Sequence, residues 1–99
     1  MIKHIVFWKV SDPAASQAVY EKLDQMVARL KTIIPEIAEA RVGCNYRPDD
    51  QFPVYTVCLD SVFKSKADLA VYADHPEHIK LRDYMNSVTG DRTVFDYEF

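Results

Sequence analysis

Three segments of the chain have the patterns of apolar, β-branched and aromatic residues that are typical of β-strands. Residues 2–10 carry bulky apolar groups on both faces, so we expect both faces of this strand to be covered at its centre. Residues 54–63 show the clearest alternation. In residues 92–99, every second residue is a threonine or an aromatic residue, so these side chains share one face of the strand. A fourth, less regular strand is predicted over residues 40–47.

Two other regions have helical spacing. Asp12 and Pro13 suit the cap and the first position of a helix. Beyond them, apolar residues recur three and four positions apart and predict a long amphipathic helix: Val19, Leu23, Met26, Leu30 and Ile33, with Tyr20, Val27 and Ile34 beside them. Ser65 and Asp68 resemble a capping box before a short helix that ends near Ala73. A further helix, or a kinked continuation, is predicted from Pro76 to Val88.

The predicted order is β-α-β-β-α-β. Short connections and right-handed crossovers favour an α+β, ferredoxin-like fold, with a four-stranded antiparallel sheet covered by helices on one face. With 99 residues, the chain is expected to form one domain over residues 1–99. The helix-free face of the sheet carries Ile5 and Phe7 and needs a cover. A second copy of the chain is the simplest cover, so we expect a homodimer through this face.

Composition and charge narrow the choice of partners. The net charge is −3 and no basic cluster occurs, so nucleic acid is not expected as a partner. The first ten residues lack the features of a signal peptide or a membrane span, and we therefore expect a cytoplasmic protein without a membrane partner. Cys44 and Cys58 are expected to be free thiols. If the hairpin were centred near Gln51, however, the two cysteines would face each other across the ladder.

The segment with the strongest chemical signal is residues 72–78, YADHPEH. Pro76 suits the first turn of a helix, which puts Tyr72 at the end of one helix and His78 in the first turn of the next. A phenol and an imidazole can therefore meet at the corner between these helices, as a proton-transfer pair requires. His75 is expected to cap the second helix.

Each of these residues also has an ordinary structural explanation. The positive end of the helix dipole favours a neutral His78, which a general base needs, whereas Glu77 pushes the other way. His78 could equally bond a backbone carbonyl, and Tyr72 could simply pack. His4 lies on a strand between apolar neighbours and has either a core or a pocket role. Convergence of His4, His75 and His78 on a metal is conceivable, but no motif of metal-site spacing occurs, so no metal is expected.

Several segments resemble the stress-responsive dimeric α/β-barrel (Dabb) family, in order and over essentially the whole chain. They are residues 3–9 (KHIVFWK), 33–35 (IIP), 42–43 (VG), 63–69 (FKSKADL), 72–78 (YADHPEH) and 95–97 (FDY). The resemblance implies a ferredoxin-like protomer and a homodimer whose two sheets pack into a barrel. Many members of this family have no known activity, and some resemble stress-associated structural proteins.

One plant branch of the family, the olivetolic acid cyclases, folds a linear polyketide into an aromatic acid without a cofactor. The resemblance matches its Tyr/His pair to Tyr72 and His78, and a histidine of its pocket to His4. Trp8 stands where the cyclase has a smaller aliphatic residue, and the segment before the last strand is shorter. These departures imply a smaller or differently shaped pocket and put the polyketide substrate in doubt.

Two functions remain open on the sequence, with the first narrowly favoured. The first is a binding or structural role, with a small apolar ligand pocket between sheet and helices. The second is a cofactor-free cyclase, isomerase or decarboxylase of a small keto compound, with His78 as base and Tyr72 holding the oxygen. A cofactor-free oxygenase is a third idea that rests on fold analogy alone. No cofactor is expected, and the predicted pocket residues are His4, Val6, Trp8 and His75.

Overall fold

The computed structural model describes residues 1–46 and 55–99, and its elements follow the predicted order. A short 3-10 turn precedes the first helix, and two consecutive helices stand where the pattern allowed one kinked helix. The elements are β1 (Ile2–Val10), the 3-10 turn (Pro13–Ala15), α1 (Ser16–Ile33), β2 (Ile37–Cys44), β3 (Val57–Phe63), α2 (Lys66–Asp74), α3 (Pro76–Val88) and β4 (Thr89–Glu98).

The four strands form one antiparallel sheet in the order β2-β3-β1-β4. Val6 at the centre of β1 lies between Leu59 of β3 and Val94 of β4, which sets the register of the three strands. One face of the sheet and the inner faces of the helices share a single apolar core. The α+β, ferredoxin-like architecture predicted from the sequence is confirmed.

Helix α1 packs on the sheet along one narrow stripe. Its fully buried residues are Val19, Leu23, Val27 and Leu30, and Ile34 follows at the C-terminal cap. The predicted stripe was wrong at Ile33, which is 37% exposed, whereas Met26 is half-buried and packs against the core. Spacing of three or four residues leaves the exact centre of an apolar stripe open, and here packing against β2 centres it on Val27 and Ile34.

Strand boundaries differ from the prediction by a few residues. β2 runs from Ile37 to Cys44 rather than over residues 40–47, and the predicted turn at 47–53 lies outside the described residues. β4 begins at Thr89, three residues earlier than predicted. Thr89 has extended backbone angles and pairs with Val10, so the chain passes directly from α3 into the strand.

The two cysteines are free and are not cross-strand partners. The register sets Cys58 opposite Gly43 and Cys44 opposite Val57. A shift of one residue from the hairpin centred near Gln51 therefore puts the two thiols on opposite faces of the sheet. The alternative in which they face each other was wrong.

Aromatic side chains cover part of the sheet face that points away from the helices. The rings of Phe95, Tyr97 and Phe99 form a row along β4, with centroids 5.9 Å apart at each step. Phe95 is 58% exposed and Phe99 is 63% exposed. Phe7 on β1 packs against Tyr55 on the same face, again at 5.9 Å. This face of the sheet is both apolar and exposed, which is typical of a surface that binds another protein.

Candidate active site

The corner between α2 and α3 is built by local capping. Ser65 Oγ accepts a hydrogen bond from the backbone of Asp68 at 3.1 Å and starts α2. His75 ends α2 and also starts α3, where its Nδ1 accepts from the backbone N–H of Glu77 at 3.1 Å. Pro76 occupies the first position of α3, where its missing N–H leaves no helical bond unmade. The corner therefore has the position predicted from the sequence.

This corner brings Tyr72 and His78 into direct contact. Their ring centroids lie 4.2 Å apart, with the ring planes tilted by 44°. Tyr72 also packs against Phe63 of β3 at 5.0 Å and against the ring of His4 at 6.2 Å. The phenol is thus clamped between the helix corner and the sheet, and the imidazole lies against it.

The hydrogen bond at His78 fixes its tautomer. Its Nδ1 lies 3.0 Å from the carbonyl oxygen of Ala73. A carbonyl only accepts, so Nδ1 carries the proton and, in the neutral ring, Nε2 presents a lone pair. Burial lowers the pKa of His78, against the opposing effect of the Ala73 hydrogen bond, and nearby positive groups lower the pKa further. The ring is consequently neutral at neutral pH.

The sequence left the sign of this effect open because of Glu77. In the structure, the carboxylate of Glu77 binds Lys80 at 3.1 Å and lies 3.7 Å from Arg29. The groups that act on His78 are instead the Ala73 carbonyl, His4, Arg82 and Arg92. Burial, which a one-dimensional pattern does not reveal at this position, is the largest cause.

The Tyr72 hydroxyl is a donor without a partner in the part of the chain that the structure describes. The residue is only 2% exposed, and burial raises the pKa of its phenol, which stays protonated. Its hydroxyl makes no hydrogen bond within residues 1–46 and 55–99. The hydroxyl oxygen is nevertheless not one of the fully buried side-chain atoms that lack a partner in this part of the chain. The hydroxyl can therefore donate to a molecule beside it.

His4 and Asp96 form a second polar pair at the same place. They are direct neighbours across β1 and β4, and His4 Nδ1 lies 2.5 Å from Asp96 Oδ1. A carboxylate on Nδ1 orients the ring and directs Nε2 the other way. Ser61 Oγ on β3 donates a hydrogen bond to the backbone carbonyl of His4 at 2.9 Å, which links β3 to β1 at this residue.

These groups share one cavity of about 260 Å³ between the sheet and the helix corner. Its walls are mainly apolar, with polar groups at His4, Tyr72, His78 and Asp96 and two arginines. The lining consists of His4, Val6, Trp8, Leu59, Leu69, Tyr72, Ala73, His78, Leu81, Arg82, Arg92, Val94 and Asp96. A pocket of this type, apolar with a few convergent polar groups, is the usual form of a small-molecule site.

The chain matches the family described as the Stress responsive A/B Barrel Domain over residues 2–99. It belongs to this family. The resemblance noted in the sequence is confirmed. No curated protein matches the chain.

Solved structures agree with the fold of this A/B barrel domain. A dimeric, ferredoxin-like protein of unknown function from Bacteroides fragilis has a TM-score of 0.87 at 29% identity and covers 99% of this chain and 95% of that chain. A dimeric ferredoxin-like protein from Jannaschia sp. has a TM-score of 0.84 at 20% identity, covering 99% and 98%. The hydroxynitrile lyase of Passiflora edulis has a TM-score of 0.81 at 23% identity, covering 97% and 90%.

Of the pocket residues predicted for this A/B barrel domain, His4, Val6 and Trp8 lie in the cavity lining, together with Tyr72 and His78. His75 does not. Its ring nitrogen is committed to capping α3, which turns it away from the cavity that its neighbour His78 faces. The capping role was expected from the sequence, and the pocket role has no support in this geometry.

Sequence reasoning missed three charged residues of the lining, Arg82, Arg92 and Asp96. Arg82 follows His78 by four residues on a predicted helix, so helical spacing alone would have put the two on one face. Arg92 and Asp96 share the β4 face that carries Val94, and alternation would have grouped them. The register of β4 against β1 is needed to show that this face of β4 points toward the helices.

Two further findings concern the described part of the A/B barrel domain. Across residues 1–46 and 55–99, no three His, Cys, Asp or Glu side chains converge as a metal site would require. Over the same ranges, none of the helices has the length and apolar character that a membrane crossing needs.

Proposed function

We propose that this A/B barrel domain is a homodimeric, cofactor-independent enzyme that moves a proton next to the carbonyl group of a small, mainly apolar compound. The observation that carries the proposal is the state of the two rings at the helix corner. The Nδ1 of His78 is bonded to Ala73, and its ring touches that of Tyr72. Among the described residues, neither the Nε2 of His78 nor the hydroxyl of Tyr72 has a hydrogen-bond partner. A neutral base and a free donor on one cavity are the two groups that enolisation requires.

The chemical step follows from these two groups. Nε2 of His78 takes the proton from the carbon beside the carbonyl, and the electron pair of that C–H bond moves onto the carbonyl oxygen. The Tyr72 hydroxyl donates a hydrogen bond to this oxygen as negative charge develops on it. In a β,γ-unsaturated ketone, return of the proton at the γ-carbon gives isomerisation, and attack of the enolate on a second carbonyl of the substrate gives cyclisation. Decarboxylation of a β-keto acid runs through the same enolate, since loss of carbon dioxide from the carbon beside the carbonyl leaves the electron pair in the same place.

The walls of the cavity support an apolar substrate body. Val6 and Trp8 of β1 face it from the sheet, and Leu81 faces it from α3. The low polarity of these walls strengthens the hydrogen bond from Tyr72 to a developing oxyanion. His4, oriented by Asp96, borders the same space and is the second group able to bond the substrate.

The homodimer is supported by the helix-free face of the sheet. Phe95, Tyr97 and Phe99 are exposed in the protomer and form one apolar row, and related structures are described as dimeric. We expect a dimer by light scattering and a loss of dimer in Phe95→Glu, because an unpaired carboxylate would be buried in the interface. The cytoplasmic location expected from the sequence remains a prediction.

A binding or structural role without turnover is the second candidate, and one observation favours it. The bond from His78 to the Ala73 carbonyl spans the end of α2 and the first turn of α3, so the same ring also fastens this corner. Under this alternative the histidine stabilises the fold, and the cavity holds a ligand that is released unchanged.

Proton exchange separates the two candidates. Short apolar ketones, benzylacetone among them, are incubated in deuterated buffer with wild type, His78→Gln, Tyr72→Phe and His75→Asn, and loss of the proton beside the carbonyl is followed by NMR. His75→Asn is the matched control, because it alters a histidine of the same corner that lies outside the cavity and supplies a side chain that also caps helices well.

The proposal expects saturable exchange in wild type and in His75→Asn, a loss of at least about a hundredfold in His78→Gln, and a smaller loss in Tyr72→Phe. Binding without His78-dependent exchange for any compound of the series would contradict the enzyme and favour the binding role. Circular dichroism of each variant verifies that the fold is retained.

A further inference from the structure

Two arginines from different elements reach the proposed catalytic cavity. Arg82 lies on α3 four residues after His78, which puts the two on one face of the helix. Arg92 lies on β4 opposite Trp8, on the inner face of the sheet. Both line the cavity, and the charges of both act on the His78 imidazole. Helix α3 and strand β4 therefore each contribute a positive charge that acts on His78.

These positive charges are poorly neutralised by the protein. Among the described residues, Arg82 meets only the carboxylate of Asp83, its neighbour along the chain, at 3.5 Å in an exposed setting. Arg92 forms no ion pair among residues 1–46 and 55–99. The one carboxylate in the lining, Asp96, is already engaged by His4 at 2.5 Å. The cavity thus has apolar walls, a free phenol and two available guanidinium groups.

We infer that the ligand of this cavity is a keto acid: an apolar body bearing a carboxylate near the carbonyl, with the carboxylate held by Arg82 and Arg92. The inference rests on the proposed function and names its substrate class. A guanidinium presents a planar fork of N–H donors that matches the two oxygens of a carboxylate. An acid with an apolar body also fits the walls formed by Val6, Trp8 and Leu81, which a bare inorganic anion would leave unused.

The carboxylate has a consequence for the base. In the free protein, Arg82 and Arg92 both lower the pKa of His78. An anion bound between them offsets their charge, so the pKa of His78 rises when the acid binds and Nε2 becomes the stronger base. The same arginines would then select the substrate and strengthen the base only when the substrate is present.

A matched pair of compounds tests the inference. Benzylpyruvate and benzylacetone share the phenylethyl group and the carbonyl, and differ in having a carboxylate or a methyl group beside it. Their dissociation constants are measured by NMR titration at neutral pH, at low and at ~0.3 M salt. The variants are Arg82→Gln, Arg92→Gln and the charge-conserving Arg92→Lys, with Lys22→Gln as control, because Lys22 is an exposed cation of α1 outside the lining.

We expect benzylpyruvate to bind wild type about tenfold or more tightly than benzylacetone. Each glutamine variant should remove about threefold to tenfold of that advantage, Arg92→Lys less, and Lys22→Gln none. The higher salt concentration should weaken the acid and leave the ketone unchanged. Equal affinity of the two compounds, an advantage that survives both arginine substitutions, or no binding of benzylpyruvate would each overturn the inference.

The two proposals fail separately. If His78-dependent exchange occurs in benzylacetone while the acid has no advantage, the keto-acid inference is wrong and the enzyme stands. If benzylpyruvate binds through the arginines while no compound shows His78-dependent exchange, the enzyme is wrong, and the cavity is a binding site for an acid.

Discussion

The imidazole of His78 lies against the phenol of Tyr72, with 4.2 Å between the ring centroids. The polar atoms of these two side chains differ in their hydrogen bonding. The Nδ1 of His78 is used by the Ala73 carbonyl, and the Tyr72 hydroxyl is used by no residue among 1–46 and 55–99. The Nε2 of His78 and the hydroxyl of Tyr72 are therefore available on one cavity. The expectations that follow depend on this arrangement and on the packing around it.

Tyr72 separates packing from chemistry. Tyr72→Phe should change the free energy of unfolding by less than about 1 kcal/mol, because the hydroxyl makes no hydrogen bond to the described residues that could be lost. Tyr72→Ala should cost about 3–5 kcal/mol, because the buried ring packs against Phe63 and His78. Urea denaturation of both variants measures this. A large loss of stability in Tyr72→Phe would mean that the hydroxyl is bonded within the protein.

The stability of the fold should depend on pH through His78. Burial lowers the pKa of this group below its ordinary value of 6.5, although the Ala73 carbonyl opposes the shift, and His4, Arg82 and Arg92 also act on it. As pH falls below 6.5, the unfolded chain gains a proton before the folded chain does, so wild type loses stability over this window relative to its value at higher pH.

The measurement is urea denaturation at several pH values, on wild type and on His78→Gln. The stability difference between the two should level off at pH values well above 6.5 and should shift in favour of the variant as the pH falls through and below 6.5. A shift in the opposite direction would show that the folded protein holds this proton more tightly than the unfolded chain.

Neighbouring isoleucines at the end of α1 should differ sharply. Ile34 is fully buried at 0% exposure, whereas Ile33 is 37% exposed. We expect Ile34→Ala to cost about 2–5 kcal/mol of unfolding free energy, and Ile33→Ala less than about 1 kcal/mol. Thermal and urea denaturation of the two single variants give the comparison, and similar costs would contradict the orientation of the helix end.

The two thiols should react independently and at different rates. Cys44 is exposed, whereas burial raises the pKa of Cys58, with smaller contributions from Asp60 and Cys44. Less thiolate and less access make Cys58 the slower thiol. A time course with iodoacetamide, followed by mass spectrometry on Cys44→Ser and on Cys58→Ser, separates the two rates. Loss of both thiols together in wild type under mild oxidation would instead indicate a disulfide.

Most of the fold could be predicted from the sequence because its signals are local. Ser65 caps α2 through a bond to a residue three positions away, and Pro76 begins α3 where the chain can spare an N–H. The positions of Tyr72 and His78 at the corner follow from the same signals. Errors arose where a neighbour in space decides the outcome, as for the buried stripe of α1 and the early start of β4 at Thr89.

The candidate site was only half predictable, for the same reason. Periodicity and capping depend on residues a few positions apart, so the sequence by itself determined the elements, the inner face of β1 and the meeting of Tyr72 with His78. The tertiary structure alone decided the pairing of Cys58 with Gly43, the contact of His4 with Asp96 and the convergence of two arginines on His78. These features depend on strand register and burial, which join residues far apart in the chain and which no local pattern specifies.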